Sequence, residues 1–137
     1  MRNLIRSLPA TLTLLLPGLA TAETTWVNTA SVPVVGAGGG SVYHQFKLNT
    51  GVWPVAPGHS AGVAYTWDGW LTTNWGTLQW QYNQSNAYGS QDEVWAGNFN
   101  IPPWVSPIVI EYAIYVDDAS GARTWNNNGG SNYVCAP

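Results

Sequence analysis

The chain has 137 residues, of which 8% are charged, and its four Lys or Arg residues face seven Asp or Glu, for a net charge of -3. Phosphate binding needs a positive patch, so this balance argues against nucleic acid as a partner. The length fits one domain with its own core. Nine Trp and seven Tyr in so weakly charged a chain favour a surface that recognises something flat and uncharged.

Residues 1–22 have the pattern of a secretory signal peptide. Arg2 and Arg6 precede an apolar run that ends in the small-x-small sequence Ala20-Thr21-Ala22. The run is short for a membrane span. We therefore expect a secreted or periplasmic protein with no membrane segment after cleavage. Residues 23–40 end in a glycine-rich run and are expected to be an extended or flexible segment.

The rest of the chain alternates apolar and polar residues with period two, the pattern of half-buried strands. The predicted strands, in chain order, are 41–48, 63–67, 77–83, 94–101, 108–116, 123–125 and 132–134. Turn residues separate them, and no apolar pattern has helical spacing. The pattern predicts an all-β, antiparallel, immunoglobulin-like β-sandwich over residues 41–137.

Two finer expectations follow from the same alternation. Residues 49–51, Asn-Thr-Gly, are predicted to turn the chain after the first strand. In the strand 77–83, Trp80 and Tyr82 fall on the apolar face. We therefore expect Trp80 in the core, together with Trp67 of the preceding strand.

Residues 125–133, Trp-Asn-Asn-Asn-Gly-Gly-Ser-Asn-Tyr, combine two aromatic rings with four side-chain amides. Amides offer donors and acceptors that can meet sugar hydroxyls without desolvating a charge, and an indole supplies a flat apolar face. Asn and Gly also build tight turns. Taken alone, this stretch fits either a sugar site or a turn.

Three segments in this order resemble carbohydrate-binding module family 21, the starch- and glycogen-binding module also found in glycogen-targeting subunits of protein phosphatase 1. They are the strand 63–70 that ends in Asp-x-Trp, the Glu-Tyr-Ala-Ile-Tyr strand at 111–115, and residues 125–133. The resemblance covers roughly residues 63–134. Asn126 stands where the family usually has Asp, and Ala113 stands where other members have an aromatic ring.

The resemblance implies an α-glucan site on one face of the sandwich. Trp70 and Trp125 would stack on sugar rings, Asn127 and Asn132 would bond the hydroxyls, and Tyr133 belongs to the same predicted site. A second site on the other face would lie near Tyr82 and Tyr88.

The expected activity is binding without catalysis. Glycoside hydrolysis usually needs two carboxylates that flank the bond. The sequence has no nucleophile elbow, no metal-spaced His pair and no Cys-His couple. We expect no enzyme activity, no cofactor and no metal site.

The expected partner is therefore an α-glucan, starch or glycogen. A partner amylolytic enzyme and a dimer joined through Cys135, the single cysteine, are further expectations. The alternative hypothesis is a secreted structural or protein-interaction β-sandwich that uses its Trp-rich face without binding sugar. The retained Asn amides favour the sugar hypothesis.

Overall fold

The computed structural model describes residues 23–137, so the predicted signal peptide lies outside the described residues. Ten strands and one short 3-10 turn make up this part of the chain. Their bounds are β1 Thr24–Ser31, β2 Val34–Gly38, β3 Ser41–Trp53, β4 Ser60–Thr66, β5 Asn74–Thr77, β6 Gln79–Ser85, β7 Gln91–Ile101, β8 Ile110–Asp117, β9 Arg123–Asn126, the 3-10 turn Asn128–Gly130 and β10 Tyr133–Cys135. No helix within residues 23–137 has the length and apolar character needed to cross a membrane.

The strands form two antiparallel sheets that pack face to face. The first sheet has the order β1-β3-β7-β6, and β2 also pairs with β3. The second has the order β10-β8-β4-β5, and β9 also pairs with β8. The predicted all-β antiparallel sandwich is confirmed.

The core between the sheets is built around Phe46 of β3. Its ring lies 5.4 Å from that of Tyr65 in β4 and 5.0 Å from that of Tyr112 in β8, centroid to centroid. Phe46 is completely buried, and burying such a side chain stabilises a fold by about 1.5–3 kcal/mol. One aromatic side chain therefore links the first sheet to the two central strands of the second.

The structure changes the prediction for the N-terminal segment and for the turn at 49–51. Residues 49–51 do not turn the chain, because they lie inside β3 and pair with both β1 and β7. The first sheet includes β1, so the sandwich begins at Thr24 rather than at residue 41. Gly51 lets β1 pack closely on β3 here, because a Cβ at this position would lie 2.3 Å from the indole of Trp26 in β1.

A buried polar cluster lies next to the start of β1. The Glu93 carboxylate of β7 accepts hydrogen bonds from the Ala56 backbone N–H and the Trp95 indole, both at 2.9 Å. His59 Nδ1 lies 2.9 Å from the same carboxylate. His59 Nε2 lies 3.4 Å from the Glu23 carboxylate and makes no hydrogen bond within residues 23–137, so Glu23 is near this cluster without being bonded to it.

The prediction that Trp80 belongs to the core is wrong. Trp80 and Tyr82 are both more than half exposed, because β6 is the edge strand of the first sheet and its register shifts between these residues. Trp67 fits its prediction better, since it is partly buried and packs against the core.

Candidate functional site

The outer face of the second sheet carries three aromatic side chains side by side. Tyr115 of β8 pairs with Trp125 of β9 and with Gly62 of β4, while Trp75 of β5 pairs with Ala64. Directly paired residues project from the same face of a sheet, and alternate residues of one strand share a face. The intervening residues of β4 and β8 are buried in the core. The three rings therefore stand on the surface that faces away from the core.

We call Trp75, Tyr115 and Trp125 the aromatic platform. The Trp75 and Trp125 ring centroids lie 6.0 Å apart with their planes at 63°. Tyr115 lies 6.1 Å from Trp75 and 5.1 Å from Trp125. Such tilted contacts satisfy the ring quadrupoles and add about 0.5–1.5 kcal/mol per pair. Trp75 is still 60% exposed and Trp125 45% exposed, so each indole is fixed yet open to a ligand.

Arg123 of β9 limits which platform rings are open. Its guanidinium carbon lies 3.8 Å from the centroid of the Tyr115 ring. Its Nε and Nη2 donate to the two oxygens of Asp117 at 2.7 and 2.9 Å, and this hydrogen bonding lowers the pKa of Asp117. The ion pair holds the guanidinium over Tyr115. The guanidinium carbon lies farther from the Trp125 and Trp75 ring centroids, at 5.7 and 6.0 Å, so it covers these two rings less closely than Tyr115.

Small residues on the central strands make room for these rings. A Cβ at Gly62 would lie 2.3 Å from the Tyr115 ring, so this ring packs directly on the β4 backbone. Ala64 and Ala113 form the next row of the same face, opposite each other. Both are at least 94% buried although they point away from the core. The platform rings thus pack on a part of the sheet whose own side chains are small.

The Asn-rich stretch forms a loop at the edge of the second sheet, between β9 and β10. Asn126 of β9 pairs with Ile114 and Tyr133 of β10 pairs with Tyr112, so the loop between them stands opposite the single residue Ala113. β9 and β10 are therefore one edge strand interrupted by residues 127–132. The loop begins two residues after Trp125, so it continues directly from the strand that carries this platform ring.

Half of the amide groups in this loop are used to build it. Asn126 donates through Nδ2 to the Thr25 carbonyl at 2.8 Å, and its Oδ1 accepts from the Asn128 N–H at 3.0 Å. Asn128 Nδ2 donates to the Asn132 carbonyl at 3.1 Å. These bonds tie the loop to itself and to β1. The reading of this stretch as a turn is thus correct for Asn126 and Asn128.

The other two asparagines keep amide groups free. Asn127 uses its Oδ1 to accept from the Gly130 N–H at 3.0 Å, which leaves its Nδ2 without a partner among residues 23–137. The Asn132 side chain makes no hydrogen bond within the same residues, and its backbone φ is 60°. Asn127 Nδ2 and the Asn132 amide, together with Asn128 Oδ1, are therefore the groups available for a ligand.

Trp70, the other predicted stacking residue, lies in the turn between β4 and β5. Its backbone φ is 68°, and its N–H donates to Thr66 Oγ1 at 3.1 Å. The indole Nε1 is buried with no hydrogen-bond partner among residues 23–137. Its ring makes none of the ring contacts seen within those residues. The pairing of Trp70 with Trp125 in one platform therefore stays a prediction.

Tyr133 has a structural position. Its ring stacks on that of Tyr112 with centroids 5.3 Å apart, and its hydroxyl donates to Asn126 Oδ1 at 3.0 Å. Tyr133 packs against the core, and its bond to Asn126 ties the start of the loop to β10. Direct contact between Tyr133 and a sugar is therefore less favoured by the geometry than contact through Asn127 and Asn132.

The two residues of the predicted second site do not line the same groove. Tyr88 is almost fully exposed and lines a groove of about 530 Å³ with Trp26 and Trp53. Tyr82 is exposed on β6 and does not line this groove. A second site on the first sheet would therefore use Tyr88 with the two indoles.

Hydrogen bonds hold the carboxyl groups of two aspartates in ionised form. Hydrogen bonds from Thr66 and Thr72 lower the pKa of Asp68 to about 2, and those from Ser120 and the Ala122 N–H lower that of Asp118. A glycosidase acid needs the opposite, a raised pKa. Within residues 23–137, no three His, Cys, Asp or Glu side chains are placed to hold a metal ion.

Sequence reasoning missed Trp75, and it gave Tyr115 and Arg123 no role at the site. The strand β5 has only four residues, too few for a clear alternation, so Trp75 carried no strand signal. Tyr115 alternates with the buried Ile114 and Val116, a pattern that places it outward. Trp75 lies beside Tyr115 because β5 pairs with β4. A local sequence pattern does not predict this pairing.

No protein-family model matches this chain, and no curated protein sequence matches it either. Among solved structures, it is similar to the solution structure of the carbohydrate-binding module of the muscle glycogen-targeting subunit of protein phosphatase 1. The two are 16% identical over 80% of this chain and 73% of that chain, with a TM-score of 0.55. At this identity, the similarity establishes the sandwich fold of such a module.

Proposed function

We propose that this protein is a non-catalytic module that binds α-glucan on the aromatic platform. The observation that carries the proposal is the pair of exposed indoles, Trp75 and Trp125, whose ring centroids lie 6.0 Å apart on the outer face of the second sheet. The loop that follows β9 adds the free amide groups of Asn127 and Asn132. A pyranose has an apolar face of axial C–H groups that stacks on an indole. The amides can read the hydroxyls at its edge without desolvating a charge.

The angle between the two indoles favours a curved glucan. Their planes meet at 63°, so the platform is not flat. Successive units of an α-1,4-linked chain turn relative to each other, and two of them can each meet one ring. The flat ribbon of cellulose would need rings that lie in one plane. We therefore propose starch or glycogen rather than cellulose as the ligand.

Two further features support the proposal. The similar solved module comes from a glycogen-targeting subunit, which gives the same ligand class for that protein. The motifs at 63–70, 111–115 and 125–133 resemble the starch- and glycogen-binding family. The signal pattern of residues 1–22 leads us to propose in addition that the module works outside the cytoplasm, where it would hold polysaccharide for a partner amylolytic enzyme.

A dimer joined through Cys135 is less favoured. Cys135 is half-buried in β10, and burial raises the pKa of its thiol. Disulfide formation proceeds through the thiolate, whose fraction falls as the pKa rises. Any gain in affinity from two linked modules would need another contact between copies.

The direct test is co-sedimentation of the purified protein with granular starch, with microcrystalline cellulose as the control polysaccharide. We expect the wild type to sediment with starch only and a much smaller fraction of Trp125→Ala to sediment, because the substitution removes one of the two open rings. Trp80→Ala is the matched control, since it deletes an exposed indole from the edge of the other sheet.

Failure of the wild type to sediment with starch, amylopectin or glycogen would reject the proposed function. The sandwich would then be better explained as a protein-interaction module. Its exposed rings outside the platform, such as Trp104 and Tyr88, favour that second candidate.

A further inference from the structure

A groove that contains none of the platform residues lies at the end of β4. It has a volume of about 490 Å³ and runs between the β4–β5 turn and the loop that leads from β7 to β8. Its lining residues are Trp67, Asp68, Thr72, Trp104, Val105, Ser106, Pro107 and Val109. Indoles and apolar side chains form its walls, and a carboxylate and two hydroxyls lie among them.

The outer wall of the groove is a rigid, exposed indole. Trp104 is 73% exposed, yet its ring meets that of Trp67 edge to face, with centroids 6.2 Å apart and planes at 79°. Trp67 in turn lies 6.1 Å from Tyr65 of the core. A chain of ring contacts thus holds Trp104 in place before any ligand arrives, which reduces the ordering cost of binding.

The polar side of the groove is equally fixed. Asp68 Oδ1 accepts from the Thr66 hydroxyl at 2.6 Å and from the Thr72 N–H at 3.0 Å, and Oδ2 accepts from the Thr72 hydroxyl at 2.6 Å. These donors keep the carboxylate oriented. A carboxylate has about four lone-pair positions, so one acceptor position stays open toward the groove. The Ser106 hydroxyl makes no hydrogen bond within residues 23–137 and can donate or accept.

We propose that this groove binds a second glucose segment of the α-glucan, with one sugar ring stacked on Trp104 and its hydroxyls bonded to Asp68, Thr72 and Ser106. The inference rests on the proposed function, because it names a second point of contact for the same ligand. A fixed ring beside fixed neutral and anionic acceptors matches a ligand that has an apolar face and a rim of hydroxyl donors. Two points of contact on one module increase retention on a polymer through effective concentration.

The test follows the indole N–H signals of the purified, 15N-labelled protein during titration with maltoheptaose. Single Trp→Phe variants assign the signals. We expect the Trp104 signal to shift in the wild type and also in Trp125→Ala, because the groove shares no residue with the platform. Trp104→Ala should lower the affinity for maltoheptaose by roughly ten-fold, which corresponds to about 1.4 kcal/mol.

Two further variants separate ring loss from damage to the fold. Trp104→Phe keeps a ring and should stay within about three-fold of the wild-type affinity. Leu71→Ala removes an exposed apolar side chain from the same turn, outside the groove, and should leave the affinity unchanged.

The outcomes distinguish the two proposals. A fixed Trp104 signal with shifting Trp75 and Trp125 signals would overturn the groove and leave the platform standing. A Trp104 shift that disappears in Trp125→Ala would also overturn the groove, since Trp104 would then only sense the platform. A Trp104 shift without any platform shift would support the groove and reject the platform. No shift at any indole would overturn both.

Discussion

At the scale of single residues, the asparagines of the edge loop differ in how much of each amide the fold uses. Asn126 uses both amide groups, Asn127 and Asn128 use one each, and the Asn132 amide makes no hydrogen bond within residues 23–137. A sequence cannot separate these roles, because all four residues are chemically identical. Only the hydrogen bonds to the Thr25 carbonyl and along the loop assign them.

Asn132→Gly isolates the contribution of a free amide. Glycine tolerates the φ of 60° at this position at no steric cost, so the loop should keep its shape and the melting temperature should change little. The affinity for maltoheptaose should fall about five- to ten-fold, because a hydrogen bond of about 1 kcal/mol is lost. Calorimetric titration measures the first effect and thermal unfolding the second. Unchanged affinity would remove Asn132 from the site.

At the scale of elements, the platform depends on how closely β8 packs against β4. The Tyr115 ring rests on the backbone at Gly62, and that contact sets the positions of Trp125 and Arg123 beside it. The alternation of β8 predicted which way Tyr115 faces. The glycine contact and the short strand β5 depend on pairing between distant segments, so neither could be read from a local pattern.

Gly62→Ala should disturb both stability and binding. The new Cβ would lie 2.3 Å from the Tyr115 ring and 2.9 Å from the Gly76 carbonyl oxygen, so the ring must move. Overpacking of this kind costs about 1–3 kcal/mol. The free energy of unfolding in urea and retention on starch should fall together. Gly38→Ala is the control, because nothing lies within 4 Å of its Cβ. An equal effect of both variants would contradict the packing account.

At the scale of the whole molecule, the sequence predicted the sandwich correctly, but the predicted burial of Trp80 at one edge of it was wrong. Strong alternation in β3, β4 and β8 predicted the fold class, since these central strands bury one face. In the edge strand β6, the alternation did not predict burial correctly. Trp80 and Tyr82 alternate as inward-facing residues do, but no further strand of residues 23–137 lies beyond β6 to cover them. The turn interpretation of residues 125–133 agrees with the hydrogen bonds within the loop, and the role of this loop toward sugar stays a prediction.

Acid should weaken the whole domain through its aspartates. Hydrogen bonds from Thr66 and Thr72 lower the pKa of Asp68 to about 2 in the fold, compared with about 3.9 in an unfolded chain. Its ionised form therefore stabilises the β4–β5 turn fully above about pH 4, and this contribution is lost as the pH falls toward 2.

The variant Asp68→Asn tests this linkage. We expect it to be less stable than the wild type at pH 7 and to approach wild-type stability near pH 2, as followed by urea unfolding at each pH. A difference between Asp68→Asn and wild type that stays constant from pH 7 to pH 2 would contradict the assignment.

The most direct test of the central claim is calorimetric titration of the wild type and the double variant Trp75→Ala/Trp125→Ala with maltoheptaose and with cellohexaose. The account predicts that the wild type binds maltoheptaose more tightly than cellohexaose. It also predicts that the double variant, still folded by circular dichroism, loses at least about ten-fold in maltoheptaose affinity, the equivalent of 1.4 kcal/mol. A folded double variant that binds maltoheptaose as tightly as the wild type would show that the aromatic platform is not the glucan site.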